Sequence, residues 1–500
     1  MNTRIVRFLF GATIALAAAL SLRILPMPAL TRAAPSTTFI VNSNADAPDA
    51  TLNGVCETGN GNGICTLRAA ITEANAASGS TIVFGQQGSL TYLLTLGELN
   101  ITANVKIVGN GSANTIIDGN GSVTNSRVFD ISSSSLVVNM TGVTIRNGKA
   151  NQGGGINNLG KLSLSHSTVR DSVAAAIDPR SGGGIYNTGI LTVTNSFIND
   201  NSAPNVSFTG GGGGIYNSGG TVVLINSTLN SNSTNSTGGA IQVDGGTVSL
   251  VNSMVNSNIA NYGGGIFNGG TLNITQSGIY SNTASNSSFS GGGGGIDNFN
   301  GVATIYNSTI YLNVANRDGG GIGNESSGTL YLYNVTVAGN YSDWDGNNTG
   351  VGGGIYQGGG SVNFRNTILA GNYNWSNSCI TCSTPDDCAG TLNSEDYNLI
   401  QTTSGCTLNA PGHDITGVDP QLSYPPHFNG GPTLNLALLP GSPAIDAGNT
   451  GGCRDGLGAL IPTDQRGFPR PANGGVNGLR CDIGAYEWYR FGVFLPLIRK

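Results

Sequence analysis

The stretch Gly211–Val243, GGGGIYNSGGTVVLINSTLNSNSTNSTGGAIQV, carries almost no charge and too much glycine for a helix. Yet Ile215, Val222, Leu224, Leu229 and Ile241 recur in it at regular steps. Apolar residues at every second position, in short runs between Gly and Asn clusters, have the period of β-strands.

The same pattern recurs along the chain. A Gly-Gly-small-Ile tetrad ends at Ile156, Ile185, Ile215, Ile241, Ile266, Ile296, Ile322 and Ile355, at spacings of 29, 30, 26, 25, 30, 26 and 33 residues. Behind the tetrads stand LTVTNSFINDNSA (191–203), VVLINSTLNSNST (222–234), VSLVNSMVNSNIA (248–260), LNITQSGIYSNTA (272–284) and ATIYNSTIYLNVA (303–315). In register they read apolar-x-apolar-x-Asn/Gln-Ser-x-apolar-x-x-Asn, which predicts three short strands per unit. One such unit buries too few aliphatic side chains to repay its own ordering, so units must stack and pair their backbones above and below. The expected fold is all-β: a right-handed parallel β-helix, a solenoid of some ten coils about 50 Å long at about 4.8 Å per coil. Leucine-rich repeats share the period, but Gly/Ser/Asn-rich returns disfavour their helices. Propeller blades need about 40 residues or more.

Two columns of amides follow from the register. Two residues after the tetrad isoleucines stand Asn158, Asn187, Asn217, Asn268, Asn298 and Asn324, with Val243 and Gln357 breaking the column. A second column is Asn195, Asn226, Asn252, Gln276, Asn307, Asn334 and Asn366, with His166 at its head. Stacked amides can hydrogen-bond along the axis, and both columns are expected to form ladders.

The first 34 residues read as an export signal: Arg4 and Arg7, the apolar run Phe8–Leu22, then Ala33 and Ala34. The formal charge is −6; residues 1–34 hold four arginines and no acid, which leaves −10 for the mature chain. No basic block is present, which argues against a nucleic-acid partner, and no membrane span is expected in the mature chain. An oxidising compartment suits the eight cysteines. Bridges are expected for Cys56–Cys65 and Cys453–Cys481. Among Cys379, Cys382, Cys388 and Cys406 three pairings stay open, Cys388–Cys406 with Cys379–Cys382 being one, and a zinc site is the rival reading of CITCSTPDDC.

The ends of the rod need covering. CTLRAAITEANAA (65–77) is the best helical segment, with Leu67, Ala70, Ile71 and Ala74 on one face. FIVNSNADAPDATLNGVCETGNGNGICTLRAAITEANA (39–76) resembles the CSLREA-type N-terminal segment of bacterial secreted β-helix proteins, with Thr66 in place of Ser and Ala69 in place of Glu. At the other end NLI (398–400), DPQL (419–422), NGGPTLNLALLPGSPAIDAGN (429–449), TDQRGFPRP (463–471) and CDIGAYE (481–487) resemble the choice-of-anchor Q domain of surface proteins. The Gly-Gly-Ala-Ile and apolar-x-x-Asn motifs are similar to polymorphic outer-membrane-protein repeats of adhesins. The organisation these imply is a signal peptide (1–34), an N-terminal helical cap (35–100), β-helix repeats (101–375) and a small disulfide-containing, β-rich C-terminal domain (376–487). The tail 488–500 is then a sorting or docking strand, or a last strand packed on that domain.

Chemistry is sparse. Between 151 and 372 the bases are Lys161, Arg170, Arg180, Arg317 and Arg365. The acidic concentration Asp297, Asp318, Glu325, Asp343 and Asp345 is the candidate for a carbohydrate-active enzyme, a polysaccharide lyase or glycoside hydrolase, since paired-carboxylate hydrolysis needs two acids within about 5 to 9.5 Å. Asp297 and Asp318 fall at different repeat positions, so they need not meet. His166, His413 and His427 are scattered. No catalytic residue, cofactor or metal is assigned. The residues just after the tetrad isoleucines include Tyr186, Tyr216, Phe267 and Tyr356; with isoleucine inward this column is expected to face outward, where rings could bind a glycan or another surface protein. The reading is a non-catalytic, adhesin-like protein, secreted or at the surface of a bacterium, with the carbohydrate-active enzyme as the alternative.

Overall fold

The computed structural model describes residues 37–175, 181–204, 210–286, 291–375, 383–409, 412–472 and 480–489. The expected export signal, Cys379 and Cys382, and the tail from 490 lie outside them.

A representative coil carries four strands, one more than the repeat suggested: Ile185–Asn187, Ile190–Thr194, Phe197–Asn199 and Ser202–Ala203. These define faces 1 to 4. Each face pairs in parallel with the same face of the neighbouring coils. Faces 1 and 2 join into a 24-stranded sheet, face 3 forms a 13-stranded sheet and face 4 a 10-stranded one. The fold is therefore an all-β parallel β-helix.

The register is the one the tetrads predict. Ile156, Ile185, Ile215, Ile241, Ile266, Ile296, Ile322 and Ile355 lie one over another, and all are fully buried. Leu191, Val193 and Ile198 complete the interior of their coil. Each such aliphatic contributes about 1.5–3 kcal/mol by leaving water.

The first amide column forms the expected ladder. The Asn158 side-chain N–H donates to Asn187 (2.7 Å), Asn187 to Asn217 (2.8 Å), Asn268 to Asn298 (2.7 Å) and Asn298 to Asn324 (2.7 Å). At the Val243 break, Asn217 donates to the Gly245 carbonyl instead. The second column is different. His166, Asn195, Asn226, Asn252, Gln276, Asn307, Asn334 and Asn366 all have φ between 44° and 55°, the left-handed conformation in which Asn is favoured. They turn the corner from face 2 to face 3 with side chains outside the coil. His166 and Asn195 touch there at 3.3 Å. The second internal ladder is instead built by the last Asn of the motif. Asn201, Asn232, Asn258, Asn282, Asn313 and Asn340 each donate to the next at 2.9–3.0 Å, and Asn372 ends the run on Asp387 at 2.8 Å. Every amide donates to the next, so the last one needs a pure acceptor, and a carboxylate supplies it. Burial raises the Asp387 pKa to about 6 against these hydrogen bonds.

The ladder outruns the expected 101–375 in both directions. Thr38–Val41 already pairs with Ser80–Phe84, which pairs with Val105–Val108. At the far end Cys388–Ser394 pairs with Cys406–Asn409, and Leu399–Ile400 with Ile415–Thr416. These coils lack the Gly-rich tetrad, so the repeat did not mark them. The helix Leu67–Ala76 (α1) covers the first coils with Leu67, Ala70, Ile71 and Ala74 buried. Thr66 caps it by accepting from the Ala69 N–H at 3.1 Å. Arg68 fixes the preceding loop through both oxygens of Asp46, at 2.7 and 3.1 Å.

After Thr416 the chain turns back along the outside of face 3 as a strap, 417–472 and 480–489, held by isolated bridges such as Leu422–Leu438 and Thr463–Pro469. Leu422, Leu436, Leu438, Ala444 and Ile483 pack on Ala338, Ile368, Ala370 and Leu399 of the coils. Polar anchors are buried beside them. Gln465 accepts from the Thr309 hydroxyl at 2.6 Å and donates to the Ser277 carbonyl at 3.2 Å. Arg470 pairs with Glu487 at 3.0 Å and donates to Asn307 at 3.1 Å. Disulfides join Cys56–Cys65, Cys388–Cys406 and Cys453–Cys481. Among the described residues no helix is long and apolar enough to cross a membrane.

Candidate functional site

The aromatic column on face 1 does not face solvent. Tyr186 and Tyr216 stack at 5.5 Å and are 4% and 1% exposed. The Tyr216 hydroxyl donates to Asp244 at 2.8 Å. Phe267 and Tyr356 are half-buried. The expectation failed because the glycine run before each tetrad folds back over the outer side of face 1. Gly212 has φ 63°, and a Cβ there would lie 2.2 Å from the Ile215 carbonyl oxygen and 2.8 Å from the Tyr216 nitrogen. "Opposite to isoleucine" therefore means under a loop, not in water.

The same burial governs the acids. Glu325 interacts with both Asp297 and Asp318, a grouping that their different repeat positions did not require. Asp318 accepts the Gly291 and Val351 N–H groups, both at 2.9 Å, and Glu325 accepts the Gly292 N–H at 2.8 Å. Asp386, which sequence reasoning passed over, accepts the Gly352 N–H at 2.7 Å. These carboxylates pin the glycine loops to the neighbouring coil. Asp297 is 1% exposed, and neither carboxyl oxygen has a hydrogen bond. Burial and then the Glu325 charge push its pKa well up. Glu325 rises to about 7, by burial first and Asp318 second, against the Gly292 hydrogen bond. Asp343 is separate: buried, it accepts from Asn348 and Thr349 inside its own turn. Asp345 lies exposed in the same turn. Among the described residues no group of three or more His, Cys, Asp or Glu side chains is placed to hold a metal ion.

A different aromatic group stands on face 4. Tyr341 and Tyr373 are register partners and stack at 5.7 Å. Trp344 and Trp375 lie 4.8 Å apart, and both touch Tyr341, at 5.6 and 6.0 Å. Trp344 is 42% exposed. Its backbone N–H donates to Ala315 at 3.0 Å, and that of Trp375 to Ser342 at 2.9 Å, so both are fixed to the coil below. The sequence held a signal for this ridge. The residue after the ladder asparagine is Ser202, Ser233, Ile259, Thr283 and Val314 in earlier coils, then Tyr341 and Tyr373.

No known protein family matches the chain, and no curated protein matches it. Among solved structures, the crystal structure of pectate lyase Pel9A aligns over 91% of this chain and 97% of its own, with 16% sequence identity and a TM-score of 0.37.

Proposed function

We propose that this chain is an exported bacterial surface protein whose β-helix serves as a rigid, non-catalytic rod presenting a carbohydrate-binding surface. The observation that carries this reading is the ridge of Tyr341, Trp344, Tyr373 and Trp375. Rings fixed on a sheet lose little freedom when a ligand arrives, and their faces offer apolar area to the C–H face of a sugar. The three disulfides among the described residues suit an extracellular setting. The CSLREA-like and choice-of-anchor-Q-like ends fit display at a cell surface.

The carbohydrate-active alternative rests on Asp297 and Glu325, whose raised pKa values would suit proton transfer. It is the weaker reading, because Asp297 lies out of solvent contact beneath a glycine loop. Glycan-array binding by the full chain, repeated with Trp344→Ala/Trp375→Ala, tests the proposal. The double variant is expected to lose at least tenfold in affinity with its melting temperature nearly kept. Unchanged binding, or glycan cleavage abolished by Asp297→Asn, would overturn it.

A further inference from the structure

A second cleft, of about 430 Å³, lies where the strap meets face 2. Its floor is Thr304, Tyr306 and Tyr331, set on adjacent strands. Tyr306 and Tyr331 are half-exposed, and each stacks on the buried Tyr333, at 5.4 and 6.3 Å. The rings thus stack at interplanar angles of 29° and 15° on two paired strands. The strap supplies the wall, Asp455 to Leu457. Gly456 crosses so closely that a Cβ there would lie 2.1 Å from the Tyr333 hydroxyl. A larger residue there would have to displace the Tyr333 ring, and Leu457 beside it is left 96% exposed at the rim.

Two carboxylates, Glu395 and Asp455, line this cleft together with the hydroxyls of Thr304 and the tyrosines. Glu395 keeps one carboxylate oxygen buried, without a hydrogen bond and 4.0 Å from Arg365, and Asp455 on the strap accepts the Leu457 and Ala459 N–H groups through one oxygen. The nearby cation, Arg365, is spent on structure: it donates to the Glu395 carbonyl at 2.7 Å and the Asp455 carbonyl at 2.9 Å, and its closest approach to the Glu395 carboxylate is 4.0 Å. Burial, then Glu395 for Tyr333 and Asp455 for Tyr306, raises the pKa values of these two hydroxyls. A cleft with two carboxylates and aromatic walls is matched by a ligand with an apolar ring face and many donors, and it repels a carboxylate.

We infer that this cleft is a saccharide subsite that takes a pyranose bearing hydroxyl or ammonium donors and rejects a uronate. The inference rests on the carbohydrate-binding reading above but on different residues, on another face. It is tested with the full chain by calorimetric titration with a β-1,4-glucose hexamer, a glucosamine hexamer and hexagalacturonate, in wild type and in the Trp344→Ala/Trp375→Ala background that removes the ridge. In that background the glucose or glucosamine hexamer is expected to bind one site, at least tenfold tighter than hexagalacturonate. Adding Tyr331→Ala is expected to weaken that site at least tenfold. Glu395→Gln, which removes the charge and keeps the side-chain shape, is expected to narrow the uronate discrimination at least fivefold. Hexagalacturonate binding as tight as the others, or discrimination unmoved by Glu395→Gln, would overturn the inference. Loss of all binding in the ridge-free background would overturn it and leave the ridge standing. No binding by wild type would overturn both.

Discussion

Face 3 has two halves built from one motif. In the early coils it presents Thr168 and Arg170, Phe197 and Asn199, Thr228 and Asn230 to the outside, and its corner residues His166, Asn195 and Asn226 are exposed. In the late coils the same positions are Thr336 and Ala338, Ile368 and Ala370, with the corner residues Asn307, Asn334 and Asn366 buried under the strap. The backbone is the same in both halves, down to the left-handed φ of 49° at Asn226 and at Asn366. What differs most is the last outward position of the strand: Arg170, Asn199 and Asn230 where water lies, Ala338 and Ala370 where a second layer does. The solenoid sets the geometry, and the side chains on its outer face decide whether the chain can return over it.

The largest way to break this comparison is to remove an ion pair from each half. Arg470→Ala leaves Glu487 buried and unpaired and is expected to cost about 3–5 kcal/mol in urea unfolding. Arg170→Ala breaks the contact with Asp171 on the uncovered half and should stay within about 0.5 kcal/mol. Equal costs would mean the strap does not seal the late coils. Next, Cys453→Ser with Cys481→Ser opens a loop of 28 residues. The expected loss is about 3 kcal/mol, with faster amide exchange in the strap while the Asn201–Asn372 ladder stays protected.

A smaller contrast separates the two asparagine columns. Asn258→Ala interrupts the internal ladder and orphans buried partners, at about 1–3 kcal/mol. Asn226→Gly keeps the corner conformation and should change stability by only a few tenths of a kcal/mol. The smallest effect depends on pH. The folded pKa values of Asp297 and Glu325 are raised, so the folded state holds protons that the unfolded chain has released. The stability these groups lend is full below about pH 4 and is lost as pH rises through about 7. Asp297→Asn should flatten that decline and leave the variant about 1 kcal/mol more stable than wild type at pH 8. A steeper decline would contradict the buried pair.

Much of the fold was legible because a β-helix repeats its constraints. Eight isoleucines at one register position carry more information than any single strand propensity, and the Asn158–Asn324 column follows by counting. Conformation was less legible. Asn226 and Asn232 recur with equal regularity, yet one turns a corner and the other bonds inside the coil; both roles favour asparagine, so residue type alone does not divide them. Tyr186 and Tyr216 were misplaced because strand alternation tells inside from outside but not what lies beyond the sheet. The strap was invisible to periodicity, since it has none. Its docking left a trace only in the shift from Asn199 and Asn230 to Ala338 and Ala370. The ridge and the tyrosine cleft need knowledge of which coil neighbours which, and one of them needs the strap as well.

The two halves can be compared at one matched position. Asn226 and Asn334 occupy the same corner with φ 49° and 55°, and the buried Asn334 side chain makes no hydrogen bond. Asn226→Cys and Asn334→Cys, each in the full chain, would be labelled with a maleimide under native conditions. Labelling of Asn226→Cys at the rate of a free thiol, with Asn334→Cys slowed at least a hundredfold until denaturant frees the strap, is the expected result; equal rates would contradict a return segment packed on the late coils.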